Sequence, residues 1–413
     1  MDGVVERCAG LDVHRDTVVA TVRSPKPSGA GRRVVTRTFT TTTAGLTGLG
    51  EWLVEEAVDL VGMESTGVYW KPVFFALEDR LPQVWLLNAE HLRNVPGRKT
   101  DVADSAWIAQ LVEHGLVAPS FVPPAAIREL RDWTRHRRVL VEERTRTIQR
   151  LDKTLQDAGI KITSVASSLL TKSGRAILDA LLAGVVDPTA LAELAKGRLR
   201  SKIPALREAL TGQFRVAHHG VLVAQMLAHV DFLEESIGEL DGRIDAAVEQ
   251  FEPVLARVQT IPGVARKTAV CLLAEIGADM SVFPTAAHLA SWAGICPGNN
   301  ASGGRRRAGR TRHGSVWLKT ALTEAAQAAA RTKGTYLAAH HAQVRGRRGT
   351  FKAIGATRHD LLIAYWHIVN DQVDYRELGA DWAMRRHSPE HQTRRLVRQL
   401  EALGHQIHLT DAA

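Results

Sequence analysis

The stretch CAGLDVHRDTVVATVRS, residues 8 to 24, decides the fold of the first part of this chain. Polar and apolar residues alternate in it around a centre of Val and Thr, and the short HRD turn can join two antiparallel strands. The stretch therefore predicts a β-hairpin near the start of the protein. Asp12 lies in the first strand between two apolar residues, where a buried carboxylate is costly unless it is paired or binds a cation.

Strands and helices alternate after this hairpin. A third strand is predicted near residues 34–42 and a helix over 44–58, and the apolar strand DLVGME then ends at Glu64. A helical segment at 70–80 and the short strand QVWLLN follow. Strands first and alternating helices afterwards predict an α/β domain built on a mixed sheet.

Four carboxylates of this domain form a candidate metal site. Asp101 and Asp104 follow Asp12 and Glu64, in KTDVADSAWIAQL, and their i, i+3 spacing places both on one face of a predicted helix. Carboxylates without a matching set of His or Cys suit Mg²⁺ or Mn²⁺, and a close pair of such ions serves phosphodiester chemistry. Spacing alone also permits a structural interpretation, in which Asp101 caps the helix, Asp104 faces its dipole and Asp12 is a turn residue.

Long helices are predicted for the middle of the chain. Residues 125–155 show an Arg-rich amphipathic pattern, and residues 223–251 follow a more regular heptad. The heptad pattern fits a parallel dimer, and it fits equally well packing on the earlier helix within one chain. Its two core positions hold Val223, Val230, Ile237, Ile244 and Phe251, and Met226, Leu233, Leu240 and Ala247.

The region from residue 259 changes to short helices broken by Gly and Pro. In IPGVARKTAVCLLAEIG, Gly263 lies in a tight turn that either presents backbone N–H groups to a phosphate, as helix-hairpin-helix elements do, or serves as an ordinary helix entry. The loop NNASGGRRRAGRTRHGSVWLK follows, and its guanidinium groups can neutralise phosphates. Together the turn and the loop favour a nucleic-acid partner. The arginines of the loop are Arg305, Arg306, Arg307, Arg310 and Arg312.

The composition of the chain limits the classes of protein to consider. Its 413 residues are enough for two or three domains, and 53 Lys and Arg against 44 Asp and Glu give a net charge of +9. This balance favours a polyanionic partner but also fits a basic enzyme. The three cysteines are widely spaced, which predicts reduced thiols. Because no apolar run approaches the length of a membrane span, a cytoplasmic protein without a membrane partner is expected.

Several other catalytic motifs are missing from the sequence. There is no complete Walker A motif, no HExxH and no GxSxG. The histidine pairs at 218–219 and 340–341 are interpreted as surface or packing residues and not as zinc ligands. Dependence on ATP or zinc is therefore not expected.

Five motifs in this order resemble the insertion-sequence 110 family of transposases. They are GLDVHRD, MESTGVYWKP, GRKTDVADSAWIAQL, the IPGV turn, and the SGG loop followed by HGSVWLKTALTEAA. The resemblance implies an α/β, ribonuclease-H or RuvC-like domain at residues 1–120 and a helical coiled-coil spacer at 121–255. A mainly α-helical transposase domain with a helix-hairpin-helix-like element is expected at 256–380, and a basic helical tail at 381–413.

The same resemblance implies the roles of particular residues. Asp12, Glu64, Asp101 and Asp104 match the family's DEDD metal ligands, and Ser302 matches its serine nucleophile. Such an enzyme is a DNA transposase or site-specific recombinase that uses Mg²⁺ or Mn²⁺. The implied partners are donor and target DNA, a bridge RNA that pairs with both, and further copies of the chain in a dimer or tetramer. The implied location is the bacterial cytoplasm, with association to the nucleoid during activity.

Two alternative functions stay open at the level of sequence. A metal-dependent junction-resolving nuclease would use the carboxylates to activate water and would not need a serine. A non-catalytic nucleic-acid-binding scaffold would need only the basic loops and the helices. The serine loop favours a recombinase over the nuclease, because a nuclease that activates water needs no second nucleophile. Strand cleavage in Mg²⁺ would distinguish a recombinase from the non-catalytic scaffold.

Overall fold

The computed structural model of the chain divides into two compact units, residues 1–122 and 123–413. The division falls at Pro123, next to Pro124, where two residues without an N–H group separate the last strand from a long helix. The further predicted division of the second unit into spacer, transposase domain and tail stays a prediction. The structure describes residues 5–27, 31–64, 67–88, 92, 104–296, 301–302, 305–306, 314–382 and 389–410.

A six-stranded mixed sheet forms the first unit. Its strands are β1 Cys8–Val13, β2 Thr17–Pro25, β3 Arg32–Thr40, β4 Leu60–Glu64, β5 Gln83–Leu87 and β6 Pro119–Ser120, in the order β3–β2–β1–β4–β5–β6. β2 is antiparallel to β1 and β3, whereas β1, β4 and β5 are parallel to one another. An antiparallel trio followed by parallel strands is the sheet of the ribonuclease H fold. The predicted α/β, RuvC-like domain is therefore confirmed.

Helices cover both faces of this sheet. α1 (Thr43–Glu55) and α2 (Trp70–Leu77) share one core with Ala9 and Leu11 of β1. α3 (Asp104–Glu113) shares a second core with Cys8 of β1 and Leu60 of β4. Because side chains alternate along a strand, the face of β1 that holds Cys8 also holds residues 10 and 12.

Two glycines allow α3 to lie directly against the strands. A Cβ atom on Gly10 of β1 would lie 2.1 Å from the carbonyl oxygen of Ser105 and 2.3 Å from the backbone nitrogen of Ala109. A Cβ atom on Gly62 of β4 would lie 2.6 Å from a side-chain atom of α3. Ser105 Oγ is also 2.8 Å from Thr21 Oγ1, which joins the start of α3 to β2.

The second unit is helical, as predicted. Its helices are α4 Ala125–Asp157, α5 Lys172–Leu182, α6 Pro188–Glu193, α7 Ile203–Ala209, α8 Val221–Val248, α9 Glu252–Val258, α10 Arg266–Ile276, α11 Ala286–Trp292, α12 Val316–Ala329, α13 Tyr336–Arg348, α14 Thr350–Asp371 and α15 Pro389–Ala402. Short 3-10 turns lie at Ile162–Ser164, Gly197–Lys202 and Glu249–Phe251, and a π turn lies at Val216–Gly220. β7 (Ala301–Ser302) and β8 (Arg305–Arg306) form a separate two-stranded ladder.

α8 packs antiparallel on α4 of the same chain. Arg137 of α4 pairs with Asp241 of α8. Further along α4, Arg144 pairs with Glu234, which comes earlier on α8. The apolar seam is therefore covered within one chain, which is one of the two arrangements that the heptad fits. Ile237, predicted as a core residue, is only half-buried, because a straight helix drifts away from a seven-residue repeat. The buried residues of α8 are Val223, Leu227, Val230, Leu233, Ile244 and Val248.

None of the helices in the described ranges is long and apolar enough to cross a lipid bilayer.

Candidate functional site

Asp12 and Glu64 lie at the ends of two neighbouring parallel strands. The register of β1 and β4 pairs the residue before Asp12 with the residue before Glu64. Asp12 lies on the same face of β1 as Gly10, two residues earlier. Glu64 lies on the same face of β4 as Gly62, and α3 covers both glycines. Because parallel strands have their carboxyl ends at one edge, both acidic residues lie at that edge on the α3 face.

Asp104 is the first residue of α3 and lies toward the same edge. Next to it, Ser105 lies beside Gly10, and one turn later the carbonyl oxygen of Ala109 accepts a hydrogen bond from Cys8 Sγ at 3.4 Å. α3 therefore runs antiparallel to β1, and its beginning lies toward the carboxyl end of β1. The Oδ1 atom of Asp104 is buried. Three of the four predicted ligands are thus gathered from two strands and one helix.

The donor set fits hard divalent cations. Asp101, the fourth predicted ligand, lies outside the described residues. The ligand atoms of Asp12, Glu64 and Asp104 do not all lie within 4.8 Å of one another, so they are more widely spread than the ligands of one ion. A pair of ions about 3.5–4 Å apart uses such a wider set of oxygens. Carboxylates that share one edge repel each other, and bound cations remove that repulsion.

His14 is a neighbour of this site that the sequence reasoning missed. Its Nε2 atom lies 3.2 Å from Asp12 Oδ2. The spacing of two residues in DVH could have revealed it, because alternate residues at a strand end share one face. His14 can therefore hold Asp12 in place by a hydrogen bond.

Ser302 lies in the short ladder of the second unit. Its backbone pairs with that of Arg305, and Ala301 pairs with Arg306. In this ladder, the backbone of two predicted phosphate-binding arginines therefore pairs with the strand that holds the predicted serine nucleophile. The other three predicted arginines, Arg307, Arg310 and Arg312, lie outside the described residues.

Gly263 lies in the turn between α9 and α10, which is the predicted helix-hairpin-helix-like element. Its φ is +87°, and a Cβ atom there would lie 2.4 Å from the backbone nitrogen of Ala329 and 2.7 Å from the carbonyl oxygen of Ala325. The turn thus packs directly on the end of α12. This close approach by itself requires glycine, and phosphate binding by the turn stays a prediction.

Glu275, near the end of α10, is a buried carboxylate that the sequence reasoning missed. Arg135 of α4 binds it with two hydrogen bonds, from Nε to Oε1 at 2.7 Å and from Nη2 to Oε2 at 2.9 Å. Arg131, one turn earlier on α4, donates to the carbonyl oxygens of Ala274 and Glu275 at 3.0 and 2.7 Å. A glutamate inside the apolar run AVCLLAEIG is the signal that could have identified this group.

Ser315 connects this buried carboxylate to the helix after the serine loop. Its Oγ donates to Glu275 Oε2 at 2.7 Å and accepts from the backbone N–H of Leu318 at 3.2 Å, so it also caps α12. Residues 301–312, which hold Ser302 and the arginines, come shortly before it in the chain. The Glu275 network therefore connects the start of α12 to α4 and α10.

Asp157, His218 and His219 form a second cluster of possible metal ligands, with all ligand atoms within 4.8 Å of one another. However, the backbone N–H of Arg215 donates to His219 Nδ1 at 3.1 Å, which places the proton of neutral His219 on Nε2. That Nε2 atom lies 3.4 Å from Asp157 Oδ2. The tautomer favours a hydrogen bond over metal binding.

Two transposase family models match the sequence. One, for DEDD transposases of the IS110 type, matches residues 9–160, and the other, for the transposase IS116/IS110/IS902 family, matches residues 255–342. The first range contains the four predicted carboxylate ligands. The second contains the turn at Gly263, Ser302 and the arginine loop.

Similar proteins match over shorter stretches. A protein of insertion element IS110 from Streptomyces coelicolor is 36% identical over 83 residues, which is 20% of each chain. The transposase for insertion sequence element IS1111A from Coxiella burnetii is 29% identical over 151 residues, 35% of this chain and 40% of that protein. These alignments thus span two fifths or less of the relatives' length. The Thermus thermophilus RuvC structure aligns with 14% identity and a TM-score of 0.22, over 28% of this chain and 99% of RuvC.

Proposed function

Because the chain belongs to the IS110 family of transposases, we propose that it cleaves and rejoins DNA as the recombinase of an insertion sequence. Transposases process DNA, and the mechanism we propose for this one uses a carboxylate site and a serine nucleophile. The placement of Asp12 and Glu64 on adjacent parallel strands, under the helix that begins at Asp104, carries the proposal. This arrangement places oxygen ligands of the kind that bind divalent cations at one edge of the sheet.

In this proposal Asp12, Glu64, Asp101 and Asp104 hold Mg²⁺ or Mn²⁺. The ions would stabilise negative charge that develops on the scissile phosphate. His14, which contacts Asp12, helps to orient that carboxylate. The close approach of α3 to Gly10 and Gly62 keeps the start of α3 near the two strand ends.

Ser302 is the proposed nucleophile. Its Oγ attacks the phosphorus atom and loses a proton, the bond from phosphorus to one strand end breaks, and that strand end takes up a proton. A phosphoserine bond then conserves the energy of the broken bond. In the second step a strand-end hydroxyl attacks this phosphoserine, restores a phosphodiester and returns the serine. Arg305 and Arg306, opposite Ser302 and Ala301 in the ladder, support charge stabilisation at the phosphate.

The proposed partners are donor and target DNA, a bridge RNA and further copies of the chain. The net charge of +9 supports binding to phosphate backbones. Pairing by the RNA would select the sequence, and the protein would contact mainly backbone. Dimers that pair into a tetramer would allow the serine and the carboxylates to come from different copies.

Asparagine at Asp12 or glutamine at Glu64 tests the carboxylate site, because each keeps the shape and removes the charge. We expect recombination in Mg²⁺ to fall by at least about 100-fold, as for loss of one charge-stabilising group. Asp16→Asn is the matched control, because Asp16 lies in the same hairpin with 85% of its side chain exposed. Activity near wild type in Asp12→Asn, with an unchanged circular dichroism spectrum, would show that the metal site is wrongly assigned.

Trapping the reaction on labelled DNA tests the serine. After digestion of the complex, mass spectrometry should find the nucleotide on Ser302 in the wild type and no adduct in Ser302→Ala. Ser167→Ala, at an exposed serine of the same unit, should form the adduct normally. Cleavage without any adduct would favour the water-activating nuclease. DNA binding without cleavage in Mg²⁺ would favour the non-catalytic scaffold.

Purified protein without RNA tests the guide. We expect it to bind DNA with little sequence preference, because the sequence has no zinc finger and no clear helix-turn-helix for reading bases. Addition of transcripts from the noncoding ends of the element should restore recombination at specific sites. Full sequence specificity in the RNA-free protein would rule out guidance by RNA.

A further inference from the structure

The hairpin of α13 and α14 carries a strongly basic stretch of the chain. Residues 325–359 contain no Asp or Glu and seven Lys or Arg. The acidic residues that border this run already have partners, because Glu324 pairs with Arg138 and Asp360 bonds His340. The run is therefore strongly basic and is not neutralised by its neighbours.

Five exposed side chains lie at the end of this hairpin, in the last turn of α13 and the first turn of α14. Gly349, with a φ of +84°, joins the last turn of α13 to the first turn of α14, so residues on both sides of it lie at the same end. We call this end the basic tip. Its members are Arg345, Arg347, Arg348, Phe351 and Lys352, all of them exposed.

Phe351 has no role in packing the hairpin. Its side chain is 90% exposed, the largest value for any large apolar residue in the described part of the chain. The seam between α13 and α14 is instead closed by buried residues such as Leu337, His341 and Thr357. In the described ranges, no ion pair is formed by the four cations that lie near Phe351 in the sequence.

We propose that the basic tip binds single-stranded nucleic acid. Phe351 stacks on an unpaired base, and Arg345, Arg347, Arg348 and Lys352 contact the phosphates on either side. A patch of cations alone would suit duplex backbone, but an exposed aromatic ring has no partner there, because the bases of a duplex already stack on one another. An unpaired base offers the ring a free face of its own size. The site does not depend on the serine chemistry proposed above.

Fluorescence anisotropy with the full chain tests this site. The probes are labelled strands of about 12 nucleotides of mixed sequence, as RNA, as single-stranded DNA and as duplex DNA. We expect Phe351→Ala to weaken binding of a single strand by about 10-fold and to leave duplex binding unchanged. Phe351→Leu, which keeps an apolar side chain without the ring, should behave like Phe351→Ala. Phe232→Ala, at a phenylalanine of α8 that is 61% exposed, is the matched control and should change nothing.

The salt dependence of binding tests the role of the cations in the basic tip. Arg347→Gln with Arg348→Gln should weaken all three probes, and the slope of log affinity against log salt should fall by about 0.7 per cation removed for a single strand. A larger effect of Phe351→Ala with the RNA probe assigns the site to RNA, and equal effects assign it to any single strand. Unchanged affinity of Phe351→Ala for both single strands would overturn the proposal. The proposal would also be overturned if Phe351→Ala lost as much affinity for the duplex as for the single strands, because the basic tip would then contact only the phosphate backbone.

Discussion

Gly10 is a single residue on which the arrangement of the carboxylates depends. A methyl group there would meet backbone atoms of α3 at 2.1 and 2.3 Å, and backbone cannot rotate away as a side chain can. We expect Gly10→Ala to lower the free energy of unfolding by about 1–3 kcal/mol, as overpacking does. Recombination should fall as well, because α3 carries Asp104.

Thermal unfolding followed by circular dichroism measures this change. Gly48→Ala is the control, because Gly48 lies in helix α1 with no atom within 4 Å of its Cβ position, and alanine there should stabilise the protein by about 1 kcal/mol. Equal stability of the two variants would mean that α3 does not rest on Gly10.

His340 and Asp360 form a hydrogen-bonded pair in the second unit whose stabilising effect should depend on pH. A hydrogen bond to Asp360, with 2.6 Å between His340 Nδ1 and Asp360 Oδ2, raises the pKa of His340, and partial burial opposes the rise. A raised pKa in the folded state means that the pair stabilises fully below the ordinary histidine pKa of about 6.5 and loses this as pH rises through the folded value. Asp360→Asn should therefore lower the melting temperature more at about pH 5.5 than at about pH 9. A difference that does not vary with pH would contradict this assignment.

At the scale of elements, α8 depends on α4 of its own chain. Leu233 is fully buried in this seam, so Leu233→Ala should cost about 2–5 kcal/mol of stability, as large-to-small changes in a core do. Its exposed neighbour Phe232 gives the control, because Phe232→Ala should cost little. Urea unfolding measures the difference. If Leu233→Ala changed the molar mass by light scattering and not the stability, the seam would instead join two copies.

The Glu275 network joins three helices and should affect the serine loop. Ser315→Ala removes the cap of α12 and the hydrogen bond to Glu275, at a cost of about 1 kcal/mol. Thr285→Ala removes the cap of α11, a helix that is not part of the Glu275 network, at a similar cost. We expect the rate of adduct formation at Ser302 to fall in Ser315→Ala and not in Thr285→Ala. Equal rates would reduce the network to a stabilising role.

At the scale of the whole molecule, the first unit has complete cores of its own. Both apolar clusters of the sheet are made of residues before Pro123. A chain that ends at Val122 should therefore fold alone and unfold cooperatively on heating. A chain that ends before α3, at residue 103, would leave one face of β1 and β4 uncovered. We expect that shorter chain not to fold. A gradual, non-cooperative transition in the longer chain would show that this unit needs the rest of the protein.

Some features of the fold and of the candidate site can be predicted from the sequence, and others cannot. The positions of Asp12 in the first strand and of Glu64 at the end of an apolar strand could be predicted because strand alternation is visible in the sequence, whereas their role as metal ligands stays a prediction. The order of five motifs predicted the fold of the sheet. The helix that packs on the apolar seam of α8 could not be predicted, because a heptad pattern shows an apolar stripe but not which helix covers it. Glu275 was missed because Arg135, which binds it, lies 140 residues away in the sequence. The side-chain surroundings of Ser302 stay a prediction.

The continuity of α4 restricts how this protein can change in length. α4 has 33 residues and extends about 50 Å without interruption. Arg135 near its beginning binds Glu275, while Leu151 and Leu155 near its end belong to a separate apolar core with α8. Each inserted residue turns the following part of a helix by about 100°. Natural insertions and deletions in α4 should therefore come in steps of about seven residues, matched in α8, whereas the turns between helices tolerate any number.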